Sequence, residues 1–328
     1  MNQNLQKILF LPLFFILFSC TTPLPQYPPD NELLAYAVKN DSNLFTRHAP
    51  VFLIENPEEA HNRIGSPRAL FNEDEKEKVF VDPDNPAVYA EERQFSTAKG
   101  RYTNLIYRIH FEKEPFSLIP FHIGYGDNVG LMVIITLNEQ KQPVLCTTVH
   151  TCGCYLAFVP SNYLPKDCLP EDWENRRQAV YSESLPYLLD FREKKDRQPR
   201  ALFLIRKDTH RIKDIRLADA AEIEKYKIRI PQIRPLSALE TLPLPDQGRT
   251  SFYETSGSRK DYVKGSYKPW ERLLMSWWAF DWRIGEDKKY GNGKEEGIVF
   301  YTSIKVWDRD DSDMRDFAAF LKYWGWNL

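Results

Sequence analysis

Several things are missing from this chain of 328 residues, and each absence removes a class of function. Neither sign of charge is in excess. Lys and Arg number 44 against 46 Asp and Glu, so the basic face that a nucleic-acid binder carries is not to be expected. Beyond the first twenty residues, no apolar run approaches the roughly 20 residues that a membrane-spanning helix needs. No segment recurs at a fixed spacing, which excludes a solenoid or propeller. The usual nucleotide and calcium loops are absent too. Gly124–Gly130 (GYGDNVG) lacks the Lys-Ser/Thr of a phosphate loop and the spacing of a dinucleotide fingerprint; it is expected to be a tight turn. Asp308–Asp313 (DRDDSD) puts Asp313 where a calcium loop needs glycine, and Ala319 where it needs a bidentate Glu. An acidic helix start explains it better.

What is present begins at the amino terminus. One basic side chain, Lys7, precedes an apolar run from Ile8 to Phe18 broken only by Pro12. This is a charged segment followed by an apolar one of signal-peptide length. The run ends Leu17-Phe18-Ser19-Cys20, which resembles the lipobox of bacterial lipoproteins. The resemblance implies a diacylated Cys20 thiol, cleavage before Cys20 and acylation of the new amino group. It implies a signal peptide at 1–19 and a cell-envelope location, with the chain tied to a membrane through its lipid. Thr21 follows the cysteine where an Asp would resemble an inner-membrane retention signal. The periplasmic face of the outer membrane is therefore expected if the host has two membranes. Without residues 1–19, which hold Lys7 and no acid, 43 basic side chains face 46 acidic ones, a net charge of −3. Residues 20–30 form a proline-rich tether: TTPLPQYPPD carries four prolines in ten positions and reads as a stiff, extended spacer.

Residues 31–328 are expected to form one globular α+β domain with a central, mainly antiparallel sheet and packed C-terminal helices. At 42% hydrophobic and 14% aromatic, the chain can bury a sizeable core. Asn104–Phe111 alternates apolar and polar positions, the period of a half-buried strand. Gly130–Leu137 (GLMVIITL) is continuously apolar and, across the polar loop Asn138–Pro143, faces a second strand at Val144–Thr151. A hairpin near 130–151, covered on both faces, is the predicted sheet centre. Ala201–Arg206 and Arg211–Leu217 form another candidate hairpin. Asn31–Lys39 and Ala218–Tyr226 read as helices, and Ile298–Lys305 as a strand. Pro269–Trp282 (PWERLLMSWWAFDW) is the clearest helix, with Pro269 at a favoured first position. Its stripe of Trp270, Leu273, Leu274, Trp277 and Trp278 is expected to pack on the sheet. A last helix is predicted over Ser312–Trp324. Trp324 and Trp326 are the tryptophans expected to be exposed.

The chemistry is concentrated in CTTVHTCGC, Cys146–Cys154. On a regular strand, residues two apart share a face, so Cys146, His150, Cys152 and Cys154 would lie on one side unless Gly153 introduces a bulge. Three readings remain open. One is a disulfide, since four cysteines remain after lipidation and export leads to an oxidising compartment; Cys168 with Cys152 or Cys154 would staple a proline-rich loop to the sheet. The second is a metal or redox site from His150, Cys152, Cys154 and Cys168, whose imidazole and thiolates suit a transition metal such as zinc, copper or iron. The third is an enzyme, hydrolytic or redox, in which His150 activates Cys152 or Cys154. His110 and His122 are within reach of His150 in a hairpin-rich fold. Separately, Lys264 and Lys268 stand before the start of the Pro269 helix and are candidates to bind an anionic ligand there. An envelope-protein partner is the remaining expectation, under a binding or structural role.

Overall fold

The computed structural model describes residues 24–39, 43–194 and 199–328. The signal segment and Cys20 lie outside the described residues. Two sheets face each other. The first has five strands in the order Ile212–Ala218, Arg200–Ile205, Val51–Glu55, Leu33–Tyr36 and Lys227–Arg229. It is mixed: Arg200–Ile205 runs parallel to Val51–Glu55, and Lys227–Arg229 parallel to Leu33–Tyr36. The second has six strands, Ala157–Pro160, Pro143–His150, Gly130–Leu137, Gly100–His110, Ala87–Thr97 and Gln232–Pro235. Every pairing in it is antiparallel except the last. The predicted hairpin forms with the register His150 opposite Leu131, next to Gly100–His110 at the middle of the sheet.

The two sheets share one apolar core. Phe52 and Phe203 from the first sheet meet Tyr107, Val133 and Ile135 from the second, all buried. The GLMVIITL run lacks alternation because its other face is covered as well. Met132 and Ile134 point away from the first sheet, toward Phe300, Met314, Phe317, Phe320 and Trp326 of the C-terminal segment. The outer face of the first sheet is covered more lightly, with Leu53 and Leu204 against Ile223 of the short helix Ala220–Ile223.

Several sequence expectations are corrected here. There are two large facing sheets, not one central one. Asn31–Lys39 is not a helix: its apolar residues form the strand Leu33–Tyr36, buried on both faces, and a short apolar run carries no period to separate the two. Ala218 ends a strand, and the helix after it covers only Ala220–Ile223. Ile298–Lys305 contributes a single bridge, Tyr301 to Asp313, in place of a strand. The last helix starts at Phe317, capped by Asp316, whose carboxylate accepts from Ala319 N–H at 3.1 Å. Ser312 is used elsewhere, its hydroxyl accepting from Ser303 N–H at 3.1 Å.

The Pro269–Ala279 helix forms, but it is turned over. Its buried positions are Glu271, Ser276 and Ala279, while Leu273, Leu274, Trp277 and Trp278 face outward. Trp326 is also the reverse of expectation, buried against Phe158 and Trp173 with ring centroids at 5.3 and 5.0 Å. Trp324 is partly exposed.

Candidate functional site

The strand Pro143–His150 leaves the second sheet through a closed turn. His150 N–H donates to Cys154 O at 2.9 Å, and Gly153 N–H donates back to His150 O at 2.8 Å. Gly153 is required there for two reasons. Its φ of +96° is a conformation that side chains disfavour, and a Cβ would sit 2.2 Å from Tyr301 O. The turn folds the chain back so that Cys152 and Cys154 meet in a disulfide, Cα to Cα 5.6 Å. His150 stays beside them: the ligand atoms of His150, Cys152 and Cys154 all lie within 4.8 Å of one another. Cys152 is buried and Cys154 half-buried.

The His150 ring is held on two sides. Nε2 lies 3.1 Å from His210 O. A carbonyl only accepts, so Nε2 carries the proton and Nδ1 keeps its lone pair. Tyr155 packs edge-on at 4.7 Å. Burial, reinforced by the nearby Lys268 charge, holds the imidazole well below its ordinary pKa, and it is neutral. A neutral imidazole whose other nitrogen is tied to a carbonyl is the usual state of a metal-ligating histidine.

Beneath this turn lies a buried charged layer. Asp287 accepts from the Thr151 hydroxyl and, at 3.2 Å, from Gly130 N–H. Lys268 Nζ stands 3.4 Å from the other Asp287 oxygen. Burial opposes the Lys268 charge, but Asp287, Glu271 and Glu114 outweigh it and raise its pKa. Glu114 is pushed up to about 7 by burial, against the Lys268 charge. Lys288 donates to Cys152 O at 2.6 Å, and burial pulls it down to about 8. Arg108, fully buried, donates from Nε to His110 Nε2 at 3.1 Å and from Nη1 to Lys288 O at 2.9 Å. Of the two lysines, Lys288 reaches the cysteine turn, through the Cys152 carbonyl, while Lys268 is held by Asp287. Between Tyr155, Tyr181 and Arg211 there is a cavity with room for about one water molecule.

The structure brings together three of the four residues expected to form a metal site. Cys168 is not among them: it lies beside Lys99, whose Nζ is 3.5 Å from its sulfur, in the apolar layer under the C-terminal segment. It is a free, buried thiol, so the expected staple from Cys168 to Cys152 or Cys154 is replaced by the Cys152–Cys154 pair. Cys146 is free and buried between the sheets, one strand face with His150 but outside the cluster. His110 is engaged by Arg108, and His122 Nδ1 lies 2.9 Å from Pro115 O. The anion site expected at Lys264 and Lys268 is overturned. Lys264 is already bonded to Glu77 and Thr250, and Lys268 is buried among carboxylates. Sequence reasoning missed Glu114, Tyr155, His210, Asp287 and Lys288. They come from four distant stretches of chain and carry no spacing signal.

Comparison of the chain with protein-family models, with curated proteins and with solved structures finds no match. The site's chemistry therefore rests on its own geometry. Two sulfurs and one imidazole nitrogen form either a disulfide with a spectator histidine or, after two-electron reduction, a three-donor ligand set.

Proposed function

We propose that this chain is a cell-envelope lipoprotein, anchored through Cys20, whose Cys-Gly-Cys turn and His150 form a redox-gated site for one transition-metal cation. The dithiol form binds the ion and the disulfide form does not. The observation that carries this reading is the convergence of the His150, Cys152 and Cys154 ligand atoms within 4.8 Å, with the His150 tautomer set by His210 O. Two thiolates and a neutral imidazole balance a divalent charge and leave a fourth position open, a donor set that suits zinc. The disulfide closes a loop so short that it restrains the unfolded chain very little. A staple is thus a poor account of it, and a reversible bond a better one.

The test uses the exported protein, purified without chelator and divided into oxidised and reduced samples. Each is supplied with micromolar zinc, and metal and free thiols are counted per chain. The reduced sample is expected to hold about one zinc, and the oxidised sample none. His150→Ala should abolish binding by the reduced form while leaving the thiol count unchanged. A reduced protein that takes up no zinc, or a His150→Ala protein that binds as well as the original, overturns the reading. A second reading, thiol–disulfide exchange, is favoured by one observation: Cys154 is half-exposed while Cys152 is buried, the asymmetry of an attacking and a resolving thiol. Reduction of a disulfide reporter by the dithiol form, with the Cys152–Cys154 bond formed in return and no metal uptake, would move the assignment there.

A further inference from the structure

We infer that the outward face of the Pro269–Ala279 helix, together with the loop Phe116–Phe121, docks on the surface of the membrane that holds the Cys20 lipid. The inference takes its occupant from the lipid anchor and is independent of the Cys/His centre.

The face is large and continuous. Trp277 is 70% exposed, with Leu273, Phe280 and Trp282 also outward, and Ile119, at the loop tip, is 95% exposed. The loop and helix are one surface: Phe116 and Phe121 pack on Trp270, with centroids at 6.4 and 5.7 Å. Arg309 donates to Ala279 O at the helix end, and the segment it comes from, which exposes Asp310 and Asp311, borders the face and is not part of it. Contiguous apolar surface on this scale marks an interaction site.

Three observations choose a bilayer as the occupant. The first is shape and composition. These side chains stand out from a helix flank and a loop tip. They mix Trp with Leu, Ile and Phe, the residues that settle at a membrane interface with an apolar body buried and a polar edge in the headgroups. The second is charge. From Pro269 to Trp282 the exposed ionic side chain is Arg272, which lies over Tyr267 and Trp282, and Phe116–Phe121 carries no charge at all. Glu271, the acid in the helix, is buried on the opposite side. An apolar face with a cation at its edge complements an anionic lipid surface.

The third is where the chain enters. Leu33 pairs with Glu55, and Ile205 with Ile54, at one end of the first sheet. His210, in the hairpin that closes this end, stacks on Phe111 at 4.0 Å and accepts from His150. Lys268, at the head of the helix, pairs with Asp287, which is fixed by Thr151 and Gly130. The tether and the aromatic face therefore belong to the same end of the sandwich. Tyr27 is pinned there by a hydrogen bond to Asp214. Six residues lie between Cys20 and Tyr27, so the seven steps from one to the other span at most about 25 Å. A lipid on so short a leash keeps this end within about 25 Å of the bilayer.

The test is tryptophan emission from the mature, lipidated protein in phosphatidylglycerol-containing vesicles, with acyl chains either plain or brominated. The reporters remain in place while the face is altered at non-tryptophan positions, as Ile119→Asp with Leu273→Asp and Phe280→Asp. The original protein is expected to lose at least a third of its emission to brominated lipid, and the triple variant less than half as much, with an unchanged melting temperature. No quenching of the original protein, or equal quenching of the variant, overturns the inference. So does sedimentation as a dimer whose tryptophans are shielded without lipid, which would assign the face to a second copy of the chain. The lipid on Cys20 is checked separately by mass. If it is absent, the anchor reading fails, and quenching by added vesicles still tests the face by itself.

Discussion

Glu114 shows how one side chain ties the buried layer to pH. It is buried between Lys268, Glu271 and the backbone of Gly124, where a Cβ would come within 2.5 Å of its carboxylate. Burial raises its pKa from 4.5 to about 7. The folded form then binds a proton that the unfolded form releases, so its contribution is fully present below about pH 4.5. It is lost as pH rises through about 7, a change of about 3 kcal/mol at most. Glu114→Gln keeps the shape and removes the titration. Denaturation midpoints at pH 5 and pH 8 should differ less in the variant than in the original protein, with the variant the more stable of the two at pH 8. An identical pH dependence would show that the carboxylate does not titrate in the folded state. At this scale the sequence was legible only in part. Cys152, Cys154 and His150 announce themselves by type and proximity, because a Cys-x-Cys two residues after a histidine is rare chemistry in a short span. Asp287 and Lys288 lie about 135 residues further on and look like any charged turn. Lys268 was visible, but its role was not: a lysine before a helix looks free until the acids that surround it are folded into place.

The two C-terminal helices differ in what holds them, and their substitutions should differ accordingly. Phe320 of Phe317–Tyr323 is fully buried, packed on Phe158 at 5.6 Å and Phe317 at 5.2 Å. Phe320→Ala should cost about 3–5 kcal/mol in urea unfolding. Trp277→Ala, on the outward face of Pro269–Ala279, should change stability by less than about 0.5 kcal/mol, though it removes the larger side chain. Equal losses would mean that the helix packs by its aromatic side after all. A period of 3.6 shows that a helix has an apolar stripe; it does not show what the stripe meets. Here the polar flank is drawn inward, because Glu271 completes the charged layer with Lys268, and the stripe is left outside. Strands were read more reliably where their partners follow directly, as in Gly130–Leu137 with Pro143–His150. Leu33–Tyr36 was misread although its partner Val51–Glu55 also lies nearby in the chain, because four apolar residues buried on both faces show no period.

Across the whole molecule, one core joins both sheets, so heat should unfold them in one cooperative step. Reduction of Cys152–Cys154 without metal should move that step only slightly, because closing a loop of three residues contributes at most about 2 kcal/mol. Calorimetry of the oxidised and reduced forms should therefore give single transitions a few degrees apart. Two separate transitions, or a drop of tens of degrees, would contradict this. The same architecture sets a timetable. The first sheet waits for Lys227–Arg229, about 190 residues after the strand Leu33–Tyr36 that it flanks, and the second sheet's outer face waits for Phe317 and Trp326. Until the C-terminal segment has been synthesised, the outer face of the central strands, Met132 and Ile134 among them, has nothing to lie against. For that interval the newborn chain shows a sticky apolar surface, and the final helix is what takes it out of reach of other chains.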